Sequence, residues 1–122
     1  MPLGVVCCIS PWNLPLYLFT WKIAPALVSG NTVVAKPSEI TPSTAHLLGD
    51  VCTKVGLPPG VLNIVHGKGS TAGDMLVKNM DIKAISFTGG TSTGKKIFKN
   101  ANFVCSLCFI NWWYDDPYWN DS

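Results

Sequence analysis

Ser10-Pro11-Trp12-Asn13-Leu14-Pro15, which follows Gly4-Val5-Val6-Cys7-Cys8-Ile9, has a counterpart in Lys36-Pro37-Ser38-Glu39, which follows Thr32-Val33-Val34-Ala35. Apolar, β-branched runs cut off by proline and polar residues read as strands buried in a parallel sheet. Open α/β sheets bind ligands just beyond the carboxyl ends of such strands. Two polar strand ends one crossover apart therefore suggest a nucleotide site.

The rest of the chain extends this pattern. Strand 4–9 leads to a helix over about 16–28, with Leu16, Phe19, Ile23, Ala26 and Leu27 at helical spacing. Ser29-Gly30-Asn31 closes that helix, since glycine accepts the left-handed C-cap conformation. After strand 32–35, Thr41-Pro42 reads as an N-cap with proline at the first helical position. The helix that follows reaches about Val55 and presents Ala45, Leu48, Val51, Cys52 and Val55 on one face. A Gly-Pro loop over 56–60, a strand over 61–65, a short helix over 71–78, a strand over 84–87 and a helix over 91–99 complete the series. The order βαβαβαβα with short connections predicts a partial Rossmann-like parallel sheet with helices on both faces.

Composition narrows the function. At 122 residues the chain is one domain or part of one, and a 48% hydrophobic content supplies ample core material. A net charge of +2 is too small to argue for nucleic acid or an anionic membrane. The longest apolar stretch, 14–28, is broken by Pro15, Lys22 and Pro25, so no membrane span is expected. The cysteine count of five is odd, and Cys7 and Cys8 lie inside a strand, which fits reduced thiols and a cytoplasmic setting. His46 and His66 read as surface or loop residues, and no metal site is expected.

Several segments carry candidate chemistry. Gly67-Lys68-Gly69-Ser70-Thr71-Ala72-Gly73 joins a strand to a helix, so its backbone can approach a diphosphate at a helix N-terminus. Its GxGxxxG spacing is one residue longer than the usual fingerprint, and a plain glycine turn explains it equally well. Thr88-Gly89-Gly90-Thr91-Ser92-Thr93-Gly94 repeats the arrangement. An N-cap at Thr88 or Thr91 accounts for one hydroxyl of that segment but not for their density. Lys36 and Glu39 suit a ribose, whose hydroxyls donate to a carboxylate that also repels a 2′-phosphate; a surface ion pair is the plainer alternative. The amide of Asn13 could donate to a developing oxyanion, or simply bond its own turn.

Taken together, these segments resemble the NAD(P)-dependent aldehyde dehydrogenase superfamily over about residues 3–99. The resemblance rests on 9–15, Lys22-Ile23-Ala24-Pro25-Ala26-Leu27, 30–39, 57–65, Gly67-Lys68-Gly69 and Phe87-Thr88-Gly89-Gly90. Segment 13–22 is most similar to the 2-aminomuconic semialdehyde dehydrogenase branch. The resemblance implies an NAD-dependent oxidoreductase acting on aldehydes. It makes Asn13 the oxyanion-hole amide, places Ile9, Pro11 and Trp12 along the cofactor cleft, and sets Lys36, Ser38 and Glu39 at the adenosine ribose. Gly69 falls on the adenine side, and Gly89 and Gly90 fall against the pyrophosphate. Many members carry serine where this chain has Gly90, so one hydroxyl contact is lost and weaker cofactor binding is expected.

From about Asn100 the pattern changes. The run 103–110 is apolar, and Trp112, Trp113, Tyr114, Tyr118 and Trp119 follow it. Neither a helical stripe nor a clean strand alternation is visible, so 1–99 reads as the partial cofactor domain and 100–122 as a divergent tail outside the alternating plan. The family's Leu-Glu-Leu-Gly-Gly segment, which supplies the general base, is not found; in register the base would fall near Trp112. The family's Gly-Gln-x-Cys nucleophile segment is also not found among the 122 residues, and Cys105-x-x-Cys108 lacks its flanking residues. The tail accordingly reads as coming from a truncated or alternatively spliced gene model, its aromatics as non-native sequence, and the chain alone is expected to be catalytically inactive. A non-catalytic module that associates with full-length subunits is the competing expectation.

Overall fold

The computed structural model describes residues 1–101 and the backbone of 107–112. The elements are β1 (Val5–Ile9), α1 (Pro15–Val28), β2 (Thr32–Lys36), α2 (Ser43–Lys54), β3 (Leu62–Ile64), a π-helical turn (Gly69–Gly73), α3 (Asp74–Lys78), β4 (Ile82–Gly89), α4 (Thr91–Asn100) and β5 (Leu107–Trp112). The strands form one sheet of order β3-β2-β1-β4-β5, and every pairing is parallel. The order reverses direction between β1 and β4, which marks the crevice where a doubly wound sheet places its ligand.

Strand periodicity sends alternate β1 residues to opposite faces. Val6 and Cys8 join Phe19 and Ile23 of α1, Val33 and Ala35 of β2, and Ala45 of α2 in one core. Cys7 joins Val77 of α3, Ile85 and Phe87 of β4, and Ile97 of α4 in the other. The expected helices on both faces are thus observed. Gly30 turns the chain at φ +80°, a left-handed conformation that costs glycine least. Asn31 then ties the α1 exit to the N-terminal segment. Its Oδ1 accepts from Leu3 N (2.6 Å) and Gly4 N (3.1 Å), and its Nδ2 donates to Ala26 O (3.1 Å).

Several expectations need correction. Thr41 does not cap α2, which begins at Ser43. Thr41 N donates to Ser38 O in a tight turn, and the Thr41 hydroxyl is buried with no hydrogen-bond partner. Leu16, Val51 and Val55 were expected to face the core but are exposed, whereas Leu18 and Lys22 are buried on α1. The helix expected over 71–78 is split: Thr71 N and Gly73 N both donate to Lys68 O, which widens the first turn before α3 starts. Strand β4 spans Ile82–Gly89, longer than the expected 84–87.

The largest departure concerns 107–112. That segment continues the alternation as a fifth parallel strand, in register with β4 from Ala84↔Leu107 to Gly89↔Trp112. Strands of parallel sheets often read as continuous apolar runs, so the missing alternation in the sequence is no evidence against a strand. The remaining tail residues, including Cys105, Trp113, Tyr114, Tyr118 and Trp119, lie outside the described residues.

Candidate functional site

Beyond the carboxyl ends of β1, β2 and β4 lies an open cleft of about 820 Å³. Ile9 ends β1, Lys36 ends β2, and Glu39 follows one short turn later. Gly69 and Gly73 bracket the π-helical turn, and Lys96 comes from α4. The sequence-predicted Ile9, Lys36, Glu39 and Gly69 therefore meet in one place. Lys68 and Thr93 join them from the two glycine-containing segments, Phe87 from β4, and Asp74 and Lys96 from helix positions that no motif marks. Crossovers from β3 and β4 bring these residues over the sheet, and only the topology reveals that.

Lys36 is 2% exposed, with its ammonium 3.2 Å from Pro37 O and 3.6 Å from a Glu39 carboxylate oxygen. The absence of a side chain at Gly73 leaves a slot for the Lys36 stem: a Cβ there would lie 3.7 Å from Lys36 Cε. The carboxyl of Glu39 is held below its ordinary range, chiefly by its own backbone N–H. Partial burial opposes this, and Lys36 and the Gly69 N–H reinforce it. A lysine and an ionised carboxylate thus stand together at a strand end, one donating and the other accepting, as a vicinal diol requires.

The other predicted residues sit elsewhere. Trp12 and Asn13 are exposed just before α1, Pro11 is half-buried, and none of the three lines the cleft. Ser38 is half-buried, and its hydroxyl accepts from Ile40 N at 3.4 Å. Gly90 is the N-cap residue of α4 and provides no side-chain cap, so the first N–H groups of that helix lack an intrahelical acceptor. At Gly89 a Cβ would come within 2.6 Å of Phe87 Cζ, so the missing side chain gives room to a ring that lines the cleft.

On the opposite face of the sheet is a smaller groove of about 360 Å³, lined by Leu18, Trp21, Lys22, Ser86 and Thr88 among others. Lys22 donates a hydrogen bond to the Thr88 hydroxyl in a buried setting. Burial lowers the Lys22 pKa, against the nearby Cys8. Burial also pushes the Cys8 thiol up to about 11, with Lys22 acting in the opposite sense. Thr88 is accordingly no helix cap. Lys22 stood in the sequence between Leu18, Phe19 and Ile23, on a face marked by its neighbours as buried, and that was the signal for it. Leu14 at the N-cap of α1 and Tyr17 and Trp21 on the helix are exposed, with the Tyr17 and Trp21 rings 4.8 Å apart.

Among the described residues no cluster of three or more potential ligands could hold a metal ion, and no helix is long and apolar enough to cross a membrane.

The strand order and the cleft at the switch point, with the Lys36–Glu39 pair at its edge, define a Rossmann-like architecture. The family model described as "Aldehyde dehydrogenase family" matches residues 1–107, and the chain belongs to that family. The chain is 59% identical over 101 residues to 2-aminomuconic 6-semialdehyde dehydrogenase of a Pseudomonas species, covering 82% of this chain and 21% of that protein. It is 56% identical over 96 residues to human 2-aminomuconic semialdehyde dehydrogenase, covering 79% of this chain and 20% of that protein. Betaine aldehyde dehydrogenase of Staphylococcus aureus, solved in complex with NAD+, superposes with a TM-score of 0.87 at 44% identity, covering 91% of this chain and 22% of that one. The chain thus spans about a fifth of the length of these relatives.

Proposed function

We propose that this chain forms the adenosine-binding side of an NAD site of an aldehyde-oxidising enzyme, and that the 122 residues alone do not oxidise aldehydes. The observation that carries this reading is the Lys36–Glu39 pair at the end of β2, facing a cleft whose size lies within the range of small-molecule sites. The fit is chemical as well as spatial. Glu39 has acceptor capacity for a diol, Lys36 has protons to donate, and the uncapped start of α4 suits a phosphate.

When bound, NAD supplies the hydride acceptor. The chain's own residues would hold it: Lys36 and Glu39 at the ribose, the Gly69 turn beside the adenine, and the Gly89-Gly90 strand end at the diphosphate. Glu39 disfavours a 2′-phosphate by charge. Asn13 would turn its amide to an oxyanion generated elsewhere, which is consistent with its position outside the cleft. The muconic semialdehyde relatives suggest a semialdehyde as the substrate of the whole enzyme. Cys7 and Cys8 are buried inside β1, and reduced thiols there fit a cytoplasmic setting.

Calorimetric titration of the chain with NAD and with ADP-ribose tests the reading. Both should bind, and Glu39→Ala should weaken both alike. Binding that ignores Glu39, or aldehyde-dependent NADH formation by the chain alone, would contradict it.

The exposed Leu14, Tyr17 and Trp21 at the start of α1 and along it favour a second reading, in which the chain associates with full-length subunits. Failure to co-elute with a full-length relative would end that idea.

A further inference from the structure

The chain has two histidines, His46 and His66, far apart in sequence, and the fold brings their rings to 6.2 Å between centroids. Each sits on a fixed piece of backbone. His46 lies in the first turn of α2, where its N–H donates to Pro42 O at 3.0 Å. His66 follows Val65, whose N–H donates to Ala35 O at 2.9 Å and so carries the pairing with β2 past the end of β3. As the crossover between two parallel strands, α2 runs antiparallel to β3. Gly49 lets the two lie close, since a Cβ there would come within 3.0 Å of Ile64 Cδ1. One turn back along α2 from Gly49 is His46, and two residues on from Ile64 is His66, so both steps lead toward the same end of the sheet.

The spacing suits a shared cation. Zinc–imidazole bonds of about 2.0–2.1 Å put each ring centroid roughly 3.2 Å from the metal, so two rings on one ion lie at most about 6.4 Å apart. The observed 6.2 Å is inside that limit, and both side chains are exposed, which leaves them free to close toward a tetrahedral angle. Asp50, one turn beyond His46 on α2, holds a carboxylate oxygen 3.9 Å from His46 Nε2. It adds negative charge beside the rings, and carboxylates commonly orient ligating imidazoles.

We propose that His46 and His66 form a two-imidazole site for an exchangeable divalent cation of the zinc, nickel or copper class, with Asp50 as a positioning group. Imidazole favours these metals, whereas magnesium and calcium prefer oxygen ligands. Among the described residues no third side chain completes the set, so water takes the remaining positions. Neither histidine lines the nucleotide cleft, and the site does not depend on what that cleft binds. A bound cation would fasten α2 to the segment that enters the turn at Gly67.

Nickel titration of the 122-residue chain, followed by NMR of the imidazole C–H signals, tests the site. With two imidazoles in the chain, His46→Gln and His66→Gln assign both signals, and each replaces an exposed side chain. Paramagnetic nickel should broaden both imidazoles over one concentration range, zinc should compete it away, and magnesium should do neither. Each single histidine variant should weaken nickel binding about tenfold or more, because loss of one ligand removes the chelate. Asp50→Asn should weaken it several-fold with the melting temperature unchanged. Cys105→Ser/Cys108→Ser, which removes competing thiols, should bind as wild type. Broadening of one imidazole without the other, or full affinity in either histidine variant, overturns the shared site. Binding that is lost with the two cysteines and kept without the histidines overturns it too, as does no broadening in a large excess of nickel. Undiminished affinity in Asp50→Asn overturns the positioning role.

Discussion

Lys22 on α1 donates a hydrogen bond to the hydroxyl of Thr88 on β4, joining residues 66 positions apart in the chain. Both are buried, and burial depresses the lysine's pKa, so the pair links the first crossover helix to the central sheet at an electrostatic cost. Removing one member of such a pair leaves the other desolvated and unmatched, which is worse than removing both. Thr88→Val should therefore destabilise the chain by about 1.5–3 kcal/mol, and Thr88→Ser by much less because the hydroxyl remains. The double variant Lys22→Met/Thr88→Val should cost at least about 1 kcal/mol less than the sum of its single variants. Strict additivity in urea unfolding would sink this account.

The neighbouring thiol gives a pH-dependent prediction. In the folded chain the Cys8 thiol is pushed up to about 11 from an ordinary 9.0, so the folded state keeps a proton that the unfolded state has lost. That contribution to stability is complete below about pH 9 and is lost as pH rises toward 11. Lys22 acts in the opposite direction, because its lowered pKa makes the unfolded state the tighter proton binder as pH approaches 10.5. Comparison of wild type with Cys8→Ala isolates the thiol. The stability advantage of wild type should shrink by about 1–2 kcal/mol between pH 8 and pH 10.5. An advantage that stays constant over that range would show that the thiol is not buried as described.

Much of the fold was legible because its signals are local. The four strand runs through Phe87, the glycine turn at Gly30 and the short connections each act within a few residues, and together they imply a parallel sheet. Less was legible where one polar residue is bound by a distant partner. Nothing near Thr88 announces Lys22, because crossover geometry makes that contact. Thr41 failed as a cap because the Ser38–Thr41 turn sets its position before the helix begins. Strand β5 was missed because its apolar run shows no alternation, and strands of a parallel sheet need none. The site divided along the same line. Ile9, Lys36, Glu39 and Gly69 converge because they sit at strand ends or the turn that follows, whereas Pro11, Trp12 and Asn13 leave the cleft with the entry to α1.

The turn that carries Gly69 depends on Gly67. Its φ of +147° lies where side chains are strained, and a Cβ would lie 2.8 Å from Ala72 Cβ. Gly67→Ala should cost about 1–3 kcal/mol and weaken NAD binding through displacement of the turn. Thermal unfolding and calorimetry would check this; unchanged values in both would refute it.

Gly89 and Gly90 are adjacent in sequence but make opposite demands on a substitution. At Gly89 a new Cβ meets the buried Phe87 ring at 2.6 Å, and that ring can yield only by moving into the cleft it lines. Gly89→Ala should therefore cost about 1–3 kcal/mol through overpacking and should weaken NAD binding as well. At Gly90 a Cβ meets no atom within 4 Å, the backbone is extended (φ −66°, ψ 148°), and the residue is the N-cap of α4 without a side chain to cap it. Serine suits that position on every count. Its hydroxyl can accept a hydrogen bond from an early N–H of the helix, adding a few tenths of a kcal/mol to stability. It also places one more donor at the strand end where a diphosphate would lie. Gly90→Ser should thus raise the melting temperature slightly and tighten NAD binding several-fold, a combination that generic stabilisation would not produce. Tighter folding without tighter binding would place the diphosphate away from the β4–α4 junction.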